Sequence, residues 1–155
     1  EENCKQIIEE IFKASEKHSC SITYPIDVLV GKNLNSVSKS KELNEIDKDD
    51  LILDIGPKTI NAIKKIIENS KTVLWNGPAG YFENPNFANG SYEIAKAIIK
   101  KNKKKSIYSV VGGGDTIALI NKIKAIRDFN FVSTAGGAFL EYLEGKDLPG
   151  IKALS

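Results

Sequence analysis

The sequence predicts an α/β fold with a mostly parallel sheet, and three observations carry that prediction. Short, continuous apolar runs at Leu51–Ile55, 72–75 and 106–111 are rich in β-branched residues, as strands covered on both faces are. Between them apolar residues recur at helical spacing, so strands and helices alternate along the chain. The strands also run into glycine-bearing turns, the usual setting of a ligand crevice at the carboxyl edge of such a sheet.

Taken in order, residues 2–17 set Cys4, Ile7, Ile8, Ile11 and Phe12 on one face of a helix, with charged residues opposite. Residues 22–30 read as a strand in which Pro25, with no N–H to give, marks an edge or a start. The stretch 31–50, full of Ser, Asn and Lys, reads as a long loop and so as a surface or functional excursion. Leu51–Ile55 is the second strand. Gly56-Pro57 follows, and proline suits the first position of the helix that Ile60, Ile63, Ile66 and Ile67 mark out.

The third strand, 72–75, ends in Asn76-Gly77-Pro78-Ala79-Gly80-Tyr81-Phe82-Glu83. Residues 92–99 carry another helical stripe, closed by Lys100, Lys101, Lys103, Lys104 and Lys105, where cations favour the carboxyl end of the dipole. The strand 106–111 breaks into Gly112-Gly113-Gly114. Asp115 or Thr116 then caps a helix that Ile117, Leu119, Ile120, Ile123 and Ile126 continue. A fifth strand covers 129–134, and Ala135-Gly136-Gly137 opens a helix with Phe139, Leu140 and Leu143. Assembled, the elements make a Rossmann-like three-layer sandwich whose turns after Leu53, Trp75, Val111 and Thr134 share one rim.

With 155 residues there is room for one domain with a real core. Apolar and charged fractions of 41% and 27% are ordinary for a soluble globular protein, and a net charge of +2 argues for no nucleic acid or membrane partner. No apolar run approaches a bilayer span and no signal peptide is visible. Cys4 and Cys20 make no disulfide framework and do not space with His18 as metal ligands do, so a reducing, cytoplasmic setting is expected. The chain lacks methionine and starts in mid-pattern, as a piece of a longer protein would.

Gly112-Gly113-Gly114-Asp115-Thr116 is neither a Walker loop nor a dinucleotide GxGxxG: position 117 is Ile and no lysine follows the glycines. It serves either as a tight strand-to-helix turn or as a phosphate site, because free N–H groups and the helix dipole point to the same spot. Asp115 adds a carboxylate suited to a hard cation such as Mg²⁺. Asn76-Gly77-Pro78-Ala79-Gly80 alone is a turn, but Glu83 beyond it has no evident structural need, and a carboxylate is a natural acceptor for ribose hydroxyls. Trp75 and Phe82 read as packing residues, and Tyr81 is open to either role. Asp54 faces the crevice or bonds the following loop. The absent GxGxxG disfavours a nicotinamide oxidoreductase.

Four motifs then stand in family order. They are Asp54-Ile55-Gly56-Pro57-Lys58-Thr59; Trp75-Asn76-Gly77-Pro78 running to Phe82-Glu83; Gly112-Gly113-Gly114-Asp115-Thr116; and Ser133-Thr134-Ala135-Gly136-Gly137-Ala138 with Leu143-Glu144-Gly145-Lys146 and Leu148-Pro149-Gly150. With them the chain closely resembles the phosphoglycerate kinases over almost its whole length. The resemblance implies that residues 1–155 are most of the C-terminal, nucleotide-binding domain of a glycolytic enzyme. That enzyme moves the acyl phosphate of 1,3-bisphosphoglycerate to MgADP, giving 3-phosphoglycerate and ATP.

By the same resemblance Glu83 binds the ribose, and Asn76, Gly77, Pro78 and Tyr81 line the adenosine and phosphate side of the cleft. Gly113, Gly114, Asp115 and Thr116 hold the nucleotide phosphates, with Asp115 reaching Mg²⁺. Gly136 and Gly137 are the catalytic positions, aiming backbone N–H groups at the transferring phosphoryl group. The phosphoglycerate site with its arginine, the lysine-bearing start of the nucleotide domain and its early strands are then expected outside this chain. The full-length enzyme is expected to be a cytoplasmic monomer, and the fragment alone inactive. Two departures stand out: Ala135 replaces a family glycine, and 31–44 lacks the acidic, small-residue stretch of the family.

Overall fold

A computed structural model describes residues 4–154. Glu2 and Asn3, expected to begin the first helix, lie outside the described residues. Helix α1 spans Cys4–Lys17. Its apolar stripe, expected to face a core, is open instead: Ile7, Ile8, Ile11 and Phe12 are all exposed, and no described residue of the helix is buried.

The molecule is α/β, and its described residues form six strands shared equally between two sheets. The first is antiparallel, in the order β2-β1-β3, and comprises β1 (Asp27–Gly31), β2 (Lys39–Glu42) and β3 (Leu51–Ile55). β1 begins later than expected. Pro25 has no N–H, and the next two, of Ile26 and Asp27, donate to Thr59 Oγ1 at 3.0 and 3.1 Å rather than to a ladder. β2 corrects the reading of 31–50 as one long loop, as does the 3₁₀ turn Leu43–Glu45. The strand carries no apolar alternation; only Lys41 turns inward, where Asp47 and Asp50 take its ammonium at 2.6 and 2.5 Å.

β3 corrects a second expectation. It pairs with β1, not with the parallel strands, so the turn at Gly56 is not part of their rim. That turn serves helix α2 (Pro57–Asn69) instead. The N–H groups of Lys58 and Thr59 donate to the Asp27 carboxylate at 2.9 and 2.8 Å, a cap supplied from a neighbouring strand. A side chain at Gly56 would collide with that carboxylate.

The second sheet is parallel, in the order β4-β5-β6, and comprises β4 (Thr72–Asn76), β5 (Tyr108–Gly112) and β6 (Phe131–Val132). β6 is far shorter than 129–134 because the Asn130 side chain takes over the ladder. Ser109 N donates to Asn130 Oδ1 at 2.8 Å, and Asn130 N to Ser109 Oγ at 3.1 Å. Helix α3 spans Asn89–Lys103 and α4 spans Gly114–Lys122. α4 stops before Ile123 and Ile126, where the chain turns through Lys124 at φ +56°. Short helices α5 (Gly137–Leu143) and α6 (Pro149–Lys152) end the chain.

One apolar core joins α2, α3, α4 and both sheets. Phe87, Ile98, Val111, Leu119 and Ile120 are fully buried within it or beside it, each contributing about 1.5–3 kcal/mol by removal from water.

Candidate functional site

The carboxyl ends of the three parallel strands stand side by side. Asn76 is in register with Gly112, and Val111 with Val132, so three glycine-bearing turns form one rim. Ser133 N continues the alignment past β6 by donating to Val111 O at 2.7 Å.

At the end of β4, the buried Trp75 donates from Nε1 to Gly77 O at 2.9 Å, and Gly77 N donates to Thr116 Oγ1 at 2.7 Å. Gly77 sits at φ +101°, a region that side-chain-bearing residues enter only with strain. The Asn76 carboxamide lies close over the neighbouring turn: a Cβ on Gly112 or Gly113 would come within 3.1 or 3.0 Å of its Oδ1.

At the end of β5, the expectation that Asp115 or Thr116 caps α4 is corrected. Gly113, at φ +85°, is the cap residue, and no side chain caps the helix. Thr116 is fully buried with its hydroxyl taken up by Gly77 N, while Asp115 is exposed in the first turn. The first intrahelical bond is Ile117 N to Gly113 O at 3.0 Å, so the N–H groups of Gly114, Asp115 and Thr116 have no intrahelical acceptor. Three free donors at the positive end of a helix dipole suit an anion, and the Asp115 carboxylate beside them suits a hard cation that the anion also binds.

At the end of β6, Gly136 at φ +56° leads into α5. Phe139 of α5 packs over Gly112, where an added Cβ would stand 2.8 Å from its ring, so α5 and the β5 turn are in direct contact. Ala135 is exposed, and its N–H lies 3.4 Å from Ser133 Oγ.

The loop after Gly77 is braced from below. Ala79 N donates to Ser91 Oγ at 2.9 Å, and Tyr81 N to Leu53 O at 2.7 Å. Asp54, left open between crevice and loop, borders the cavity under this loop. It is buried and accepts from Ile55 N and from Gly90 N at the start of α3, both at 2.8 Å. Burial pushes its carboxyl above the ordinary value, and the two N–H donors draw it only part of the way back. Between β3 and this loop opens a cavity of about 270 Å³ lined by Pro25, Val28, Ile52, Leu53, Ala79, Gly80 and Tyr81, among others. The run Leu51-Ile52-Leu53 signals a strand and nothing about what lies opposite, so no signal in the sequence marks Ile52 and Leu53 as cavity lining. Pro78 is half-buried, whereas Glu83 is exposed and its carboxylate has no partner among the described residues.

A larger cavity, about 420 Å³, lies away from the rim between α2 and α3 and is lined largely by charged side chains. Four of these are engaged with one another or with a helix end. Glu93 bridges Lys64 and Lys96 at 2.8 Å each, and Lys101 Nζ donates to Glu68 O and Ser70 O at 2.7 Å. The closest-set carboxylates, Asp47, Asp49 and Asp50, are likewise met by lysines 32 and 41.

Parallel strands that end in glycine turns against a helix start define the class of α/β proteins that hold phosphate at the strand ends. The sequence profile of one family, phosphoglycerate kinase, matches residues 1–146. A phosphoglycerate kinase of Zymomonas mobilis is 44% identical over 156 aligned residues, which are 99% of this chain and 39% of that protein. One of Wolbachia sp. subsp. Brugia malayi is 41% identical over 96% of this chain and 38% of its own length. Among solved structures, the phosphoglycerate kinase of Coxiella burnetii superposes with a TM-score of 0.89 at 36% identity, covering all of this chain and 40% of that one. That of Pyrococcus horikoshii gives 0.72 at 29% identity. The chain belongs to the phosphoglycerate kinase family, and spans about 39% of the length of the relatives it matches. Among the described residues, no helix is long and apolar enough to cross a membrane.

Proposed function

We propose that residues 1–155 are the greater part of the nucleotide-binding domain of a phosphoglycerate kinase and that the rim described above holds MgADP or MgATP. The observation that carries the reading is the pairing of Asn76 with Gly112. It puts two glycine turns, three free N–H donors and the Asp115 carboxylate at one place.

In this reading the N–H groups of Gly114, Asp115 and Thr116, with Gly113 providing the close approach, bind the nucleotide phosphates. Asn76, Gly77, Pro78 and Tyr81 form the opposite wall, and Glu83 accepts from the ribose hydroxyls. The apolar cavity beside Tyr81 takes the base. The donor set fits Mg²⁺: it takes few protein ligands and completes its shell with water and phosphate oxygens, so the single exposed carboxylate of Asp115 suffices. When bound, the ion neutralises charge that develops on the phosphates.

Gly136 and Gly137 turn their N–H groups toward the phosphoryl group in flight, as charge-stabilising positions. Such transfer depends on positioning and electrostatics more than on covalent chemistry. The acyl phosphate of 1,3-bisphosphoglycerate comes from an N-terminal domain outside these residues, which also brings the cationic groups. The 155-residue chain alone therefore binds nucleotide without turning it over.

A fluorescent ADP analogue titrated with Mg²⁺ tests the reading. We expect saturable binding by the chain that Asp115→Ala weakens; no binding, or equal binding by both, overturns it. A coupled ATP assay on the same chain should stay at the blank, and turnover above it would refute the division of labour.

A further inference from the structure

Trp75 is the one tryptophan of the sequence. It is 7% exposed and packs at a tilt against Phe129 with ring centroids 6.3 Å apart, so its ring is core and not a stacking surface for a ligand. Packing alone would be served by any large aromatic ring. The indole adds one N–H, and it reaches around the end of β4 to Gly77 O at 2.9 Å.

The amide of that same glycine is held from the other side. Gly77 N donates at 2.7 Å to the hydroxyl of Thr116, which is itself fully buried in the first turn of α4. The two peptide groups flanking the Gly77 Cα are therefore each fixed by a side chain anchored in the core. The wall is held on one side by the pairing of Asn76 with Gly112 and on the other by the bonds at Ala79 and Tyr81. Between these points stands a glycine at φ +101° with no atom within 4 Å of where its Cβ would stand. Without the two bonds, its peptide groups would turn between the fixed points within the limits that Pro78 sets.

We infer that Trp75 is a positioning residue for the nucleotide: its indole N–H, acting against the Thr116 hydroxyl, locks the Gly77 peptide and registers the 76–81 wall against the turn at Gly112-Gly113-Gly114. The inference rests on the nucleotide reading above. The clamp holds a wall that touches ground state and transition state alike, so its loss weakens nucleotide binding and leaves the chemical step alone.

The test uses the full-length protein that carries this chain, assayed for MgADP turnover. Trp75→Phe keeps a ring and removes the N–H. Trp75→3-benzothienylalanine keeps the whole indole shape with sulfur in place of N–H, and Trp75→7-azatryptophan retains the N–H. The first two should raise the KM for MgADP roughly three- to tenfold, as loss of one neutral hydrogen bond does, with kcat within about twofold. The third should restore the wild-type KM.

A benzothienylalanine variant with wild-type KM overturns the inference, as does one whose kcat falls while KM stays. If Trp75→Phe fails to fold, the benzothienylalanine variant decides alone. A wild-type protein that neither binds nor turns over MgADP removes the nucleotide reading and this inference with it. An active wild type with unmoved variants removes the inference only.

Discussion

The two sheets treat charge in opposite ways. In the antiparallel half, charged side chains answer one another. Lys41 meets Asp47 and Asp50, Lys32 meets Asp49 and Asp50, and Asp27 closes the start of α2. Hydrogen bonds from the lysines lower the Asp49 carboxyl and hold that of Asp50 well below the ordinary range, and the same bonds raise both ammonium groups. In the parallel half, the groups at the strand ends are left unanswered: the first-turn N–H groups of α4, the exposed Asp115 and the exposed Glu83. Density of charge is therefore a poor guide to the site in this molecule. In the proposed reading the half with the most ion pairs is scaffold, and the half with open donors holds the ligand.

The largest expected effect tests that contrast directly. In the full-length enzyme Asp115→Ala should lower MgADP turnover roughly a hundredfold or more, the scale on which lost charge stabilisation acts at a phosphoryl group. Asp50→Ala should leave the nucleotide KM where it was. Equal damage from both would break the comparison. Next, Asp27→Ala removes the cap of α2 and orphans two donors, that of Thr59 buried and that of Lys58 partly so. Denaturant unfolding should show a loss of about 1–3 kcal/mol, with nucleotide affinity unmoved. A smaller loss, about 1–2 kcal/mol, is expected for Gly77→Ala, whose φ of +101° a side chain enters only with strain. Unlike Asp27→Ala, this change should also weaken nucleotide binding.

The smallest effects are in pH dependence, and their signs differ. Burial pushes the Asp27 carboxyl up, but the Lys58 and Thr59 N–H groups, the Thr59 hydroxyl and the Lys58 charge together leave it below 3.8. Its stabilisation is present above the ordinary carboxyl value and is lost as pH falls through the lower native one. The melting difference between wild type and Asp27→Asn should shrink in acid. Asp54 is raised above 3.8, chiefly by burial, so its contribution is full below that value and is lost as pH rises through the native one. Asp54→Asn should therefore gain on wild type as pH rises above about 4. Curves of the same slope for both variants would erase the distinction between a carboxylate whose donors outweigh its burial and one whose burial outweighs its donors.

Much of this was legible in the residues themselves. Pro57 and the isoleucines at 60, 63 and 67 write out α2, and three glycines after a β-branched run announce a turn that only glycine can make. β2 was not legible, because Lys39-Ser40-Lys41-Glu42 has no apolar alternation; its strand is made by the ladder it shares with β1 and by a lysine buried against aspartates. The placement of β3 was hidden for a related reason: an apolar run suits either kind of sheet, and the choice of partner is a tertiary matter. Of the site, the residue types were readable and their couplings were not. That Thr116 spends its hydroxyl on Gly77, or that Leu53 O holds Tyr81, depends on contacts between segments far apart in the chain.

The ring of Phe139 lying over Gly112 has a consequence for how this sequence can vary. The ring fills the space a Cβ at 112 would need, so the residues tolerated at 112 depend on the size of the one at 139. Shrinking Phe139 opens room that alanine at 112 could enter, whereas alanine at 112 with the ring in place forces the ring to shift. The two positions are therefore coupled under mutation: the change at 139 made first lowers the cost of the change at 112.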